Sequence, residues 1–375
     1  MKISVGIITI HDIYNYGSIL QAYATQKVIE DLGYNAEIIN YKYPNAYHCQ
    51  NQSLKGRVFS KLNGFLKDLL PGKKYETYKR NYSDFTNKHY KLSKEIFPTV
   101  DSIIKNPPHY NILLSGSDQI WRAEVMKGDP VFFLDFSKNK KKVAYASSFG
   151  SVSIPTEYHA KYRKYLNNFS AIGVREKTGV KMVKELTNIN AELVLDPTLL
   201  LTKLEWMQVM EIQAKTEPYI LCYGITSKDN YMERLALHIK KHTGYKIIRI
   251  NGKFFDYFNK SMQYILDAGP AQWLGLFANA SLILGQSFHA TAFAVNFERP
   301  FIPILRGDDN HDSRQLQFLK LIGLENRAIT VGDKFPEVDK SLLEVDFKAP
   351  IEVLDKERKN SIIFLINALQ IDKKE

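Results

Sequence analysis

The strongest constraint on the fold is a rhythm of apolar runs and helical segments. Ile3 to Thr9, "ISVGIIT", is a short run rich in β-branched residues. The loop "HDIYNYGS" follows. Then comes "ILQAYATQKVIEDLG", whose apolar residues recur at helical spacing and which stops at Gly33. The run "AEIINY" closes the cycle. Short apolar runs without alternation read as strands covered on both faces, and a parallel sheet with crossover helices supplies that cover. The unit is strand, loop, helix, strand, as in doubly wound α/β proteins.

The cycle repeats along the chain. "YNILLSGSDQIW" reads as a strand ending at Gly116, and "KKVAYASSFG" as one ending at Phe149. "FSAIGVREKTGVKMVKEL" reads as a short strand, a loop carrying Arg175 and a helix, and "AELVLDPTLLL" closes a first half. After "TKLEWMQV" the pattern restarts with "PYILCYGI", "NYMERLALHIKKHTG" and "YKIIRI" as strand, helix and strand. "GPAQWLGLFANA" is a helix with proline near its start, "SLILGQ" a strand, "HATAFAVNFE" a helix and "RPFIPIL" a strand. These runs predict an α/β fold of two Rossmann-like domains facing across a cleft. The first spans 1–205 and the second 206–345, with a last helix over 350–372 returning to the first. Sheets of this kind bind ligands at the carboxyl ends of their strands.

The chain has 375 residues, ample for a large core. Its net charge of +11 favours anionic partners, without choosing among nucleic acid, lipid head groups and small phosphorylated or carboxylated molecules. The two cysteines, Cys49 and Cys222, are far apart, which argues against a disulfide framework or a zinc site and fits a reducing cytoplasm. No apolar stretch reaches the roughly 20 residues of a membrane span, and the opening run is too short for a signal peptide.

Candidate site residues fall at strand ends. His289 lies in "LGQSFHATAF", where the core strand "SLIL" gives way to a helix. A helix N-terminus there offers free N–H groups to an anion. A packing or capping histidine fits the same spacing equally well. Asn15, Tyr16, Gly17 and Ser18 join the first strand to its helix, and a plain turn capped by Ser18 is the competing reading. The loop is not a G-x-G-x-x-G fingerprint, so nicotinamide binding is not expected. Ser117 and Asp118 end another strand of that sheet. Asp118 suits a base for a sugar hydroxyl or an N-cap for "QIWRAEV". Tyr145, Ser147 and Ser148 are placed to line the same wall. No His/Asp cluster has metal-ligand spacing.

Seven blocks together resemble the polysaccharide pyruvyl transferases: "NYGSILQAYA", "SGSDQIW", "YASSFG", "VREKTG", "DPTLLL", "SFHATAF" and "DSRQLQFLKLIGLENR". The resemblance implies a two-domain fold related in shape to GT-B glycosyltransferases. It implies transfer of the enolpyruvyl carbons of phosphoenolpyruvate onto sugar hydroxyls, usually as a ketal, with no further cofactor. Phosphoenolpyruvate would sit on the second domain, and the acceptor, a lipid-linked saccharide rather than a nucleic acid, on the first. The family histidine that acts as acid/base maps onto His289. The arginine implicated in binding the substrate anion maps onto Arg175, for which pairing with Glu176 is the alternative. Some members carry a second arginine two residues before the histidine, where this chain has Ser287. Arg314, preferred, and Arg306 are the substitutes, although Arg314 is also spaced to pair with Asp312.

Two other functions fit parts of the pattern. A sugar-nucleotide glycosyltransferase would need a late carboxylate for the ribose, for which Asp308 and Asp309 are available. A saccharide- or nucleic-acid-binding protein would also be basic and aromatic, but would not need His289 and Arg175 at strand ends.

The stretch Ser53–Tyr82 places Val58, Phe59, Leu62, Phe65, Leu66, Leu69 and Leu70 on one helical face, amid six basic residues from Lys55 to Lys74. That pattern fits an interfacial helix over 53–70 on anionic lipid, at the inner face of the membrane, or a cationic helix packed on its own domain. Under the interfacial reading the full chain sediments with anionic vesicles in low salt, and a Phe59→Ser, Phe65→Ser double variant does not. Equal sedimentation of the two, or none by either, would make the helix structural.

Overall fold

A computed structural model describes residues 2–48, 72–138, 140–211, 217–224, 230–250 and 261–371. The candidate interfacial helix over 53–70 lies outside these residues. The strands are β1 (Ser4–Ile8), β2 (Asn35–Tyr41), β3 (Leu92–Phe97), β4 (Ile112–Ser115), β5 (Lys141–Ser147), β6 (Ala171–Val174), β7 (Glu192–Leu193), β8 (Tyr219–Tyr223), β9 (Lys246–Ile250), β10 (Gln263–Ile265), β11 (Leu282–Gly285), β12 (Phe301–Leu305) and β13 (Ile329–Thr330). The helices that bear on function are α1 (Tyr16–Asp31), α2 (Gly72–His89), α3 (Lys177–Leu186), α4 (Pro197–Leu200), α5 (Tyr231–Thr243), α6 (Pro270–Asn279), α7 (Phe288–Asn296), α8 (Asp309–Leu321) and α9 (Lys348–Leu369).

The strands form two sheets, ordered β3-β2-β1-β4-β5-β6-β7 and β10-β9-β8-β11-β12-β13, with parallel pairing throughout. In each, the order reverses beside the first strand, the doubly wound arrangement of two Rossmann-like domains. Contacts divide the chain into two units. One comprises Met1–Gln52, Lys88–Leu201 and Asp355–Glu375; the other comprises Ser53–Asn87 and Thr202–Leu354. The second unit thus takes in α2 residues that follow β2 of the first sheet in sequence.

Burial explains the elements. The central strands β1, β4, β8 and β11 are covered on both faces, so they are runs of Ile, Leu and Val. Helix α1 is buried almost all round, and its buried polar residues are paired inward. Gln26 Nε2 donates to the carbonyls of Ala36 and Lys91, each at 3.0 Å. The first core gathers Trp121, Phe132, Phe133, Phe149 and Tyr162; the second gathers Ile220, Leu235, Ile239, Leu282, Leu284 and Ile302. Burial pushes the Cys222 thiol up to about 12, so it is an inert packing residue.

Three strands escape the sequence reading. β3 has the exposure of an edge strand, with two of its six residues buried, while β10 and β13 are three and two residues long. Helix α7 begins at Phe288, one residue before the start read from the sequence, so His289 lies inside its first turn.

Helix α2 is seated on the loop before α6. Asn81 Nδ2 donates to the Asp267 carbonyl at 2.8 Å. A Cβ added at Gly269 would stand 2.6 Å from the Asn81 Cβ and 2.9 Å from its carbonyl oxygen. Glycine is therefore what lets the two backbones approach. Gly269→Ala is expected to cost about 1–3 kcal/mol through overpacking and to speed amide exchange over 74–87. Parent-like exchange there would show that the seat is not tight.

Candidate functional site

The carboxyl edge of the first sheet carries a charged network. Arg175 follows β6, and its fork spreads over three carboxylates. Nη1 pairs with Asp196 and donates to Ser117 Oγ at 3.3 Å; Nε lies 3.4 Å from Glu176 Oε1, and Nη2 lies 3.8 Å from Asp118 Oδ1. Burial alone would lower the guanidinium pKa, but Asp196, Glu176 and Asp118 outweigh it and raise the value. Further hydroxyls complete the network. Ser117 Oγ donates to Asp196 at 3.1 Å, Ser148 Oγ donates to Glu176, and Thr198, at the start of α4, donates through N and Oγ1 to Asp196 Oδ1.

Exposure falls steeply across this network. The side chains of Arg175, Glu176 and Asp196 are 2%, 4% and 0% exposed, while that of Asp118 is 11% exposed. Asp118 adopts the left-handed conformation, φ 77°, uncommon outside glycine. It is held from several sides. Its Oδ2 accepts from Ser18 Oγ at 2.5 Å, its Oδ1 from the Gln119 N–H at 2.8 Å, and its carbonyl from the Ser148 N–H at 3.0 Å.

The other expected residues of this edge divide. Asn15 is exposed and caps α1 by accepting from the Ser18 N–H at 3.2 Å, so Asn15 rather than Ser18 is the cap. Tyr16, Gly17 and Ser117 are buried, as are Tyr145, Ser147 and Ser148. Arg175, expected to point out toward an anion, is instead enclosed by the carboxylates of its own unit. The pairing with Glu176 is present but is only one arm of the fork.

In the second unit, two of the helix starts at the carboxyl edge are those after β11 and β12. Ser287 is the N-cap of α7, and its Oγ accepts from the Ala290 N–H at 3.1 Å. His289 is half-buried in that first turn, with its ring edge-on to Phe288 at 5.3 Å. Gln315 Nε2 of α8 donates to Thr291 Oγ1 of α7 at 2.7 Å, which fixes the two helices together.

The second start is closed by the chain itself. The N–H groups of Arg306, Gly307 and Asp308 all donate to the Asp312 carboxylate, at 2.8–3.1 Å. Gly307, at φ 78°, gives the loop the turn that lets three successive N–H groups converge. Asp312, proposed as an ion-pair partner for Arg314, spends its carboxylate on this nest. The Arg306 side chain is exposed, and Arg314 is half-buried.

Some participants were not foreseen. Asp196 and Glu176 sit in quoted blocks but had no assigned part in the site. Arg249 is buried in β9, donating to the Gly224 carbonyl at 2.9 Å and lying 3.4 Å from Glu233. The one arginine inside the apolar run "KIIRI" was the available signal.

The model of one protein family, described as polysaccharide pyruvyl transferase, matches residues 15–308. A search of curated proteins gives no significant match. Among solved structures, UGT89C1 of Arabidopsis thaliana complexed with UDP-L-rhamnose is similar, with 8% identity, a TM-score of 0.53 and coverage of 98% of this chain and 99% of that one. UDP-GlcNAc 2-epimerase from Neisseria meningitidis bound to UDP-GlcNAc is similar with 10% identity, a TM-score of 0.51 and the same coverages. At such identities the likeness bears on the fold, which is GT-B-like.

The nest makes a direct prediction. Asp312→Ala leaves three N–H groups without their charged acceptor and is expected to cost about 1.5–3 kcal/mol or more in urea denaturation. A midpoint equal to the parent's would mean that water replaces the carboxylate without loss.

Proposed function

Because the chain belongs to the polysaccharide pyruvyl transferase family, we propose that it moves pyruvate from phosphoenolpyruvate onto a saccharide as a ketal. A proton added to the methylene carbon of phosphoenolpyruvate leaves an oxocarbenium-like centre at C2. A sugar hydroxyl oxygen bonds to C2 and gives up its proton. A second hydroxyl then displaces phosphate, so a diol and phosphoenolpyruvate become a ketal and phosphate. Of the two hydroxyl protons, one balances that delivered to the methylene carbon and the other leaves with phosphate or a base.

The observation that carries this reading is His289 in the first turn of α7. There an imidazole, able to give a proton near neutral pH, stands beside N–H groups that favour an anion. The second unit is thus read as the phosphoenolpyruvate side, with Ser287, Arg314 and Arg306 as further ligands. The neighbouring nest, already filled by Asp312, is not offered to the phosphate. The first unit is read as the acceptor side, with Asp118 as base and Asn15 toward the sugar. The acceptor we favour is lipid-linked and met at the cytoplasmic face of the membrane. No helix among the described residues is long and apolar enough to cross a membrane.

The test is phosphate release from phosphoenolpyruvate with a panel of p-nitrophenyl hexosides as acceptors. His289→Ala is expected to fold as the parent does and to lose on the order of 10²-fold or more in turnover. Turnover within a few-fold of the parent would remove the acid/base role. Release of UDP from a UDP-sugar, with phosphoenolpyruvate untouched, would favour the alternative of sugar-nucleotide glycosyl transfer.

A further inference from the structure

We infer that Gln286 is a ligand of the anionic co-substrate, its carboxamide holding one oxyanion of phosphoenolpyruvate at the switch point of the second sheet. The inference rests on the reading of this edge as the phosphoenolpyruvate side. The sheet order reverses between β8 and β11, since β9 and β10 lie on one flank of β8 and β11, β12 and β13 on the other. Open α/β sheets bind ligands outside the carboxyl ends of their strands at such a reversal. Gln286 follows β11 there and stands directly before Ser287, the N-cap of α7.

Packing brings the amide across to β8. A Cβ added at Gly224, the residue after β8, would stand 2.6 Å from the Gln286 Cβ and 2.9 Å from its Oε1. Glycine at 224 thus leaves the room that the glutamine side chain fills. Both backbones are pinned. The Gln286 N–H donates to the Tyr223 carbonyl at 3.1 Å, and the Gly224 carbonyl accepts from Arg249 Nη2 at 2.9 Å. The amide is not pinned in this way. Gln286 is 9% exposed, and its Oε1 is buried with no hydrogen-bond partner among the described residues. Buried amides are ordinarily paired, so the missing partner is sought outside the chain. Turned about its last bond, a carboxamide presents either an acceptor or two donors. The start of α7 beside it is the positive end of a helix, which selects a negative ligand and hence the donor face of the amide. The Ser287 hydroxyl is already committed to capping that start, so the glutamine is the neighbouring side chain left to meet the ligand.

The full-length parent, Gln286→Leu and Gln286→Glu are titrated by calorimetry with phosphoenolpyruvate and with inorganic phosphate, and phosphate release with the hexoside panel is followed separately. Gln286→Leu removes the amide and is expected to weaken phosphoenolpyruvate binding roughly 10- to 100-fold, the worth of a hydrogen bond to a charged group. Gln286→Glu, nearly the same shape with a negative charge, is expected to weaken it further. The phosphate titration identifies the oxyanion. A parallel loss assigns the amide to the phosphate, and unchanged phosphate binding assigns it to the carboxylate. Phosphoenolpyruvate affinity within about two-fold of the parent in both variants would overturn the inference and make Gln286 a cover for Gly224. If the parent binds phosphoenolpyruvate and both variants weaken it, but no acceptor elicits phosphate release, the transfer reading fails and the inference stands. A parent that binds neither anion overturns both. Should Gln286→Leu not fold by circular dichroism, Gln286→Glu decides by the same affinity criterion.

Discussion

A guanidinium enclosed by three carboxylates sets the terms for the first unit. Charges of this kind are costly to bury unless each is answered. The answer here comes from three places in the sequence: Asp118 after β4, Arg175 and Glu176 after β6, and Asp196 before α4. Each lies at the carboxyl end of the parallel sheet, where successive strands deliver their last residues side by side. The sheet thus gathers the charges, and the charges in turn pin the loops that the sheet leaves open. The hydroxyls of Ser18, Ser117, Ser148 and Thr198 supply the remaining donors, so the network spans most of that edge.

The second unit treats two neighbouring helix starts in opposite ways. Both α7 and α8 follow a strand of the same sheet, and both begin with N–H groups that lack intrahelical partners. At α8 an aspartate one turn in reaches back and accepts from three N–H groups of the loop before the helix. At α7 a serine hydroxyl takes one, and the residues around it are half-buried. An anion approaching this edge therefore meets one start that carries its own negative charge and one that does not. This asymmetry is electrostatic and local, and it agrees with the position of His289.

Much of this was legible in the sequence because parallel sheets write themselves locally. Apolar runs such as "ILLS" and "LILG", glycines at helix ends and proline at the start of α6 are signals within a few residues. The edges were not legible. β3 buries only two positions and alternates imperfectly, so no periodicity announces it. The partners of Arg175 were hidden for a different reason. Glu176 is adjacent, but Asp196 and Asp118 lie 21 and 57 residues away, and nothing in a local pattern marks them as neighbours. For the same reason Asp312 reads as a partner for nearby Arg314, although its oxygens face backbone N–H groups. Side-chain pairing across strand ends is a property of the assembled sheet.

The seat of α2 has a consequence for synthesis. Asn81 and its partner Asp267 are 186 residues apart in the chain. A ribosome adding about 5–20 residues per second makes the helix roughly 10–40 seconds before the loop that receives it. Through that interval Tyr82 and Phe85, both buried in the finished protein, lack the later residues of their own unit. The nascent chain must carry a largely polar helix whose buried aromatic residues are still uncovered, tethered to a first sheet that is itself still incomplete. Chaperone dependence of this protein would therefore be concentrated in the early part of its translation, well before the second unit exists.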